Sequence, residues 1–335
     1  MDTQAAVDTY IEYIQHNLSR SSATAEKYAL ALQRIDHWLV INGVGLLTAT
    51  LADLEKITGL VAHREGLAAS SRSVMIAAAR GFYAWAFRRR LVSVDPAADL
   101  VYPRLGKSLP IPISRENASK LLLQPDMETL AGVRDCAMMS VIIGAGLRVS
   151  GVASLNESSL LFEKFDGREH LILRVIEKGK KERLVPVPHE TRLLVRTYLG
   201  HPDLDAIDRR LPNGDRVLWV SLRNRSVPAH EYIGEKRRLT TGGIYDRIKT
   251  HGEAAGVPAA QLHPHAGRHL YGTQLTEGDA PTLKVQALMG HEDPKSTEIY
   301  THLAVQSLIK TIDKARPFAG IHTPVTDILR EIPDV

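Results

Sequence analysis

Apolar positions recur at helical spacing along most of the chain and change to strand spacing in one region. Between residues 3 and 91 the pattern predicts helices from Thr9-Tyr10-Ile11 onward, over Thr24 to Val40, Leu51 to Glu65 and Ser70 to Arg90, several opened by Ser or Thr caps. These suit a small helical bundle. Proline then punctuates the chain at Asp95-Pro96, Tyr102-Pro103-Arg104 and Lys107-Ser108-Leu109-Pro110-Ile111-Pro112, a stretch that cannot continue a helix and marks a domain boundary. Beyond it, Ser114 to Leu123 and Thr129 to Gly144 read as helices, the second apolar enough to be largely buried. His170 to Val175 and Leu184 to Val187 are short β-type runs flanking Lys178-Gly179-Lys180-Lys181, which predicts a hairpin with a basic tip. Helical spacing returns at Glu190 to Leu199, Thr241 to Ala255, His265 to Gly278, Thr282 to Met289 and from Ser296 onward. No repeat of fixed period and no low-complexity tract is present.

The expected fold is mainly α with a small antiparallel β-sheet. A helical domain over 1–103 is followed by a linker over 104–112, a second domain over 113–317, and a tail over 318–335 with little to anchor it beyond Val325, Ile328 and Leu329. Composition narrows the setting. A chain of 335 residues exceeds one ordinary core. The single cysteine, Cys136, lies in an apolar run and reads as core; without a partner it forms no intrachain disulfide and favours a reducing compartment. No stretch approaches the roughly 20 apolar residues of a membrane span. The opening MDTQAAVDTY lacks the build of a secretory signal, so a cytoplasmic protein is expected. A net charge of +4 permits nucleic-acid binding without demanding it, and the clustering of the charges is more informative. Arg88, Arg89 and Arg90 close the last helix of the first domain. With Arg104, Lys107, Lys180, Lys181, Arg247 and Lys249 they are the candidate phosphate contacts, although Arg88 to Arg90 read equally as a cationic helix end favoured by its dipole.

Six side chains supply the parts of a phosphoryl transfer: Arg148, Lys178, His265, Arg268, His291 and Tyr300. In-line displacement at a phosphodiester gathers negative charge on non-bridging oxygens, and two guanidiniums, Arg148 and Arg268, can meet it with a charge that is not lost at any working pH. The leaving 5′ oxygen needs a proton, which Lys178 can donate if neighbouring arginines lower its pKa. Tyr300, with an ordinary hydroxyl pKa near 10, needs cations or a base to become a nucleophile, and His265 is the candidate base. His291 can hydrogen-bond the phosphate through a ring N–H. Singly, each has a plain explanation: a helix cap, a solvated tip, a half-buried aromatic. His263, His265 and His269, with His291 and His302, could instead hold a metal, against which Arg268 would set a fixed cation among the ligands. Thr240-Thr241-Gly242-Gly243 looks like a helix start rather than a phosphate loop, and no nucleotide-binding motif is present, so no cofactor is expected.

These residues resemble the tyrosine recombinases, or phage-integrase family, and most of all its bacterial Xer-type members. The likeness runs through Gly144-Ala145-Gly146-Leu147-Arg148-Val149-Ser150, the stretch from Val175 through Lys178 to Pro186, and Leu288-Met289-Gly290-His291 leading to Thr297-Glu298-Ile299-Tyr300-Thr301-His302. The resemblance implies catalytic arginines at Arg148 and Arg268, the hairpin lysine at Lys178, histidines at His265 and His291, and the nucleophile at Tyr300. It further implies a SAM-like core-binding domain and a catalytic domain forming a C-shaped clamp on double-stranded DNA with paired recombination sites. Strands would be exchanged through a 3′-phosphotyrosyl intermediate and a Holliday junction, within a homotetramer or a heterotetramer with a related recombinase. The tail would dock on a neighbouring protomer, and the protein would work at the bacterial nucleoid. Two positions depart from the family pattern: Gly151, where a carboxylate is usual, and Gly267, where an apolar residue is usual and glycine would loosen local packing. The alternatives are a type IB topoisomerase-like strand-nicking enzyme and a DNA-binding relative with weakened catalysis.

Overall fold

The computed structural model describes residues 2–106, 111–176, 182–224, 227–290 and 302–331, the side chains of 302–304 and 329–331 excepted. The chain divides into two units, Met1–Ser108 and Leu109–Val335. The division falls within the proline-punctuated stretch.

The first unit contains α1 (Thr3–His16), α2 (Ser22–Ile41), α3 (Leu51–Glu55), α4 (Ala62–Arg64) and α5 (Ala69–Arg88). A π-helical stretch, Lys56–Val61, joins α3 to α4, so the helix predicted over 51–65 is one spiral that widens midway. Local side chains set the starts: Ser21 Oγ accepts from Thr24 N at 3.3 Å, and Thr50 and Asp53 form a reciprocal capping box. The Tyr10 ring lies 5.6 Å from both Phe82 and Trp85, which ties α1 to α5 in a core of its own.

The second unit contains α6 (Arg115–Leu123), α7 (Leu130–Ala145), α8 (Val149–Ala153), β1 (Leu160–Phe165), β2 (Arg168–Ile176), β3 (Glu182–Pro186), α9 (His189–Leu199), α10 (Pro202–Asp205), α11 (Thr241–Ala254), α12 (Pro264–Glu277), α13 (Thr282–Met289), α14 (His302–Ala315) and α15 (Thr326–Glu331). Its axis is α7, in which every residue but Ala131 is buried. Two of those buried residues are charged, and each finds partners. Arg134 donates to Asp135 Oδ1 at 2.9 and 2.6 Å and to the Val220 carbonyl at 2.7 Å, while Asp135 Oδ2 pairs with His251 Nε2 at 2.9 Å. Cys136 donates to the Leu122 carbonyl, and burial pushes its thiol up to about 12, so it is core and inert.

The sheet has three antiparallel strands in the order β1-β2-β3, one more than the hairpin read from the sequence. The missed strand had a signal in Asp166-Gly167, whose φ angles of +48° and +78° make a two-residue hairpin turn. Central β2 is covered on both faces. Leu171, Leu173 and Val175 join the main core, while Ile172 packs with Val305 and Ile309 of α14, and this two-sided burial explains its nearly unbroken apolar run. The tail is more strongly anchored than its sequence suggested, since Phe318, Ile321 and Val325 are buried in the same core as α7.

Glycine at 267 does not loosen the structure, contrary to the expectation. It is buried where α12 meets α7, and a Cβ there would stand 3.0 Å from Ile142 Cγ2 and 3.3 Å from Ile143 Cγ1. The missing side chain lets the two helices approach closely. We predict that Gly267→Ala is nearly neutral, because a gain of about 1 kcal/mol in helix propensity offsets the tight contact. Gly267→Leu should destabilise by about 1–3 kcal/mol through overpacking. Thermal denaturation of both variants checks the contrast, and equal stability of the two would refute the close approach.

Candidate active site

Helix α12 begins at a histidine used for structure. His263 is the N-cap, and its Nδ1 accepts from Ala266 N at 3.0 Å, with Pro264 at the first helical position. Two of the expected site residues follow within a turn: His265 is exposed and Arg268 is buried. Capping occupies the His263 nitrogen that a metal reading would need. The His/Asp trio able to hold an ion among the described residues lies elsewhere, at His170, His189 and Asp313. The glycine pair after Thr240 is also a helix start, with Thr240 Oγ1 accepting from Gly243 N at 3.1 Å.

Arg268 bridges two loops. Its guanidinium donates to the Gly146 carbonyl, two residues before Arg148, and to the Met289 carbonyl at the end of α13. Arg148, the N-cap residue of α8, donates to the Gly290 carbonyl at 3.2 Å. A third arginine completes the set: Arg183 of β3 donates to the Leu288 carbonyl and, at 3.5 Å, to that of Ala287. Both turns that the two catalytic candidates bridge depend on left-handed glycines, Gly146 at φ +59° ending α7 and Gly290 at φ +62° ending α13. The last carbonyls of a helix have no helical partner and carry partial negative charge, which three guanidiniums here satisfy.

His265 shares this electropositive setting. Partial desolvation, and then the charges of His263, Arg268, His269 and Arg148, hold its pKa below the ordinary value of 6.5, which favours the neutral imidazole, able to accept a proton at neutral pH. Tyr271, on the same helix, is no rival nucleophile, because it is wholly buried and desolvation raises its hydroxyl pKa. The structure therefore brings Arg148, His265 and Arg268 together. Lys178, His291 and Tyr300 lie outside the described residues, as do Lys107, Lys180 and Lys181. At Gly151 a Cβ would meet only Val175 Cγ1, at 3.4 Å, so the position can accept a side chain.

Sequence reading gave Arg183 no role. A signal was available in the alternation Arg183, Val185, Val187, which puts an arginine on the core face of a strand, where a charge requires partners. Of the candidate phosphate contacts, Arg88, Arg89, Arg90, Arg104 and Lys249 are exposed and Arg247 is half-buried. Lys249 stands 3.8 Å from Glu253, and Arg89 lies 5.8 Å from the Trp85 ring. Arg90 ends α5 in a left-handed conformation, φ +59°, usually taken by glycine: Arg90 N donates to Phe87 O and Leu91 N to Ala86 O.

Known proteins share this sequence pattern and fold. The model of the phage integrase family matches residues 113–307, and that of the phage integrase N-terminal SAM-like domain matches residues 7–90. The tyrosine recombinase XerD of Proteus mirabilis is 32% identical over 311 residues, covering 92% of this chain and 91% of that protein. Among solved structures, XerH site-specific recombinase bound to difH substrate in a pre-cleavage complex has a TM-score of 0.61 at 17% identity, covering 91% of this chain and 82% of that one. A lambda integrase tetramer bound to a Holliday junction has a TM-score of 0.60 at 14% identity, covering 91% and 77%.

Two outcomes are expected from this geometry. Titrated by NMR, the His265 ring should protonate below 6.5 and move part of the way back up in Arg148→Gln, burial remaining the larger cause; an unmoved value would remove Arg148 from its surroundings. Arg90→Gly should stabilise the first unit by up to about 1 kcal/mol by relieving the left-handed arginine. The same change should weaken duplex DNA binding, read by a melting curve and a binding titration.

Proposed function

This chain belongs to the phage integrase family, and on that premise we propose that it is a site-specific DNA recombinase that cleaves and rejoins strands through Tyr300. The observation that carries the reading is the meeting of Arg148, Arg268 and His265 at the helix end from which the chain runs on to His291 and Tyr300. In this reading Arg148 and Arg268 hold the non-bridging oxygens of the scissile phosphate, so that the charge gathering in the transition state meets fixed cations. His265 accepts the Tyr300 proton, and the phenolate oxygen attacks phosphorus. Lys178 protonates the departing 5′ oxygen, leaving a 3′-phosphotyrosyl enzyme, and His291 donates a hydrogen bond to the phosphate. The 5′ hydroxyl of a partner duplex then reverses the step. Each phosphodiester is exchanged for a phosphotyrosyl ester and back, so the cycle needs no nucleotide.

The first domain, over 1–103, and the second, over 113–317, would each bind duplex DNA, with Arg88 to Arg90, Arg104, Lys107, Lys180, Lys181, Arg247 and Lys249 on phosphates. Two pairs of strands would be exchanged in turn through a Holliday junction within a tetramer. Because Phe318, Ile321 and Val325 serve their own core, docking of the tail on a neighbour would fall to Ile328, which is exposed, and the residues after it. No helix among the described residues is long and apolar enough to cross a membrane, and we place the protein in the cytoplasm, at its DNA.

Covalent capture tests the reading. The protein and Tyr300→Phe are expressed in cells, denatured, and the attached DNA is sequenced. Adducts at one or a few sites, absent from Tyr300→Phe, are expected. Scattered Tyr300-dependent adducts would instead indicate a topoisomerase. Site-specific binding without any adduct would indicate a relative weakened at Gly151.

A further inference from the structure

The last turn of α13 is held from three sides, and only two of the three arginines belong to the phosphate-binding pair. Arg268 and Arg148 fix the Met289 and Gly290 carbonyls to the α7–α8 junction. Arg183 fixes Leu288 and Ala287 to β3 instead. In register Arg183 stands opposite Val175, on the sheet face that turns toward the main core, and it is half-buried. Along the chain, Arg183 comes five residues after Lys178, and Leu288 three residues before His291. A single guanidinium thus joins the strand that leaves the lysine segment to the helix end that enters the nucleophile segment.

We propose that Arg183 is a positioning residue that sets the Lys178-bearing hairpin against the end of α13, so that the acid and the nucleophile are placed together; this rests on the recombinase reading above. The effects of removing it are unequal on the two sides. Helix α13 would keep the guanidiniums of Arg148 and Arg268, whereas β3 would lose its hydrogen bonds to that helix end. The damage should therefore fall on protonation of the leaving oxygen and spare attack by Tyr300. Arg183 touches backbone carbonyls rather than the reacting atoms, so substrate affinity should not change.

The test uses the full-length protein, Arg183→Met, and substrates built on the site recovered from Tyr300 adducts. One substrate carries the ordinary phosphodiester, and the other has sulfur in place of the bridging 5′ oxygen, a leaving group that departs without a proton. Arg183→Met should cleave the oxygen substrate about 10- to 100-fold more slowly at unchanged DNA affinity, a part of the roughly 10²- to 10⁴-fold that general-acid catalysis contributes, and regain nearly the parent rate on the sulfur substrate. Equal slowing on both substrates, or parent rates on both, would overturn the proposal. Hydrogen exchange of the DNA-free protein adds a readout independent of cleavage: amides of 182–186 should exchange faster in Arg183→Met, those of 168–173 should be unchanged, and no change at 182–186 would overturn it. Should Arg183→Met fail to fold, Arg183→Lys, which can reach one carbonyl, is read the same way with a smaller expected loss. If the parent protein itself forms no adduct the recombinase reading fails, while the exchange measurement still decides whether Arg183 ties the strand to the helix.

Discussion

The end of α13 is the point on which the site depends. A helix that stops inside a protein leaves its last carbonyls without partners, and their partial negative charge must be met by water or by cations. Here Arg148, Arg183 and Arg268 come from three separate places in the fold to meet it. Two things follow from one arrangement. The guanidiniums are oriented before any substrate arrives, and the chain beyond Gly290 leaves from a fixed point. Positive charges that would repel one another if merely crowded together are tolerated because each is shared with backbone oxygens of the opposite partial charge.

Bringing those arginines together requires close packing behind them. Gly146 ends helix α7 and Arg148 opens α8 two residues later, while α12 carries His265 and Arg268. Helices α7 and α12 meet at Gly267, where the neighbouring isoleucines leave no room for a large side chain. A residue that looks like a weakness by helix propensity is thus a requirement of packing. The buried Arg134, Asp135 and His251 network serves α7 in a similar way, since a charged pair in an apolar helix is tolerable only where its hydrogen bonds are met, and meeting them ties α7 to α11 and to the Val220 carbonyl.

The same field that suits a phosphate shapes the histidine. Partial desolvation and the cations around it lower the pKa of His265, so its imidazole is more fully neutral at neutral pH than an ordinary one. Arginines placed to meet negative charge on phosphate oxygens also add to the lowering of the His265 pKa, of which desolvation is the larger cause. At Gly151, three residues after Arg148, an added Cβ would make only ordinary contact with Val175, so crowding at that first carbon does not require glycine.

Much of this was legible in the chain itself. Helical periodicity located nearly every long helix, because burial of one face repeats at each turn. The order of Arg148, Lys178, His265, Arg268, His291 and Tyr300 suggested the chemistry proposed above, since few reactions need that mixture, and packing brings Arg148, His265 and Arg268 of that set together. What the one-dimensional pattern could not supply were contacts between residues distant in sequence: the strand Leu160–Phe165, whose Asp-Gly turn was a readable sign; the use of His263 as a cap; the anchoring of Phe318 and Ile321; and the meeting of Arg183 with Leu288. Periodicity reports which side of an element is buried, but not what it is buried against. Only tertiary packing decided that a glycine at 267 tightens the fold and that an arginine on a strand holds the end of a helix, because both effects depend on a partner more than 100 residues away.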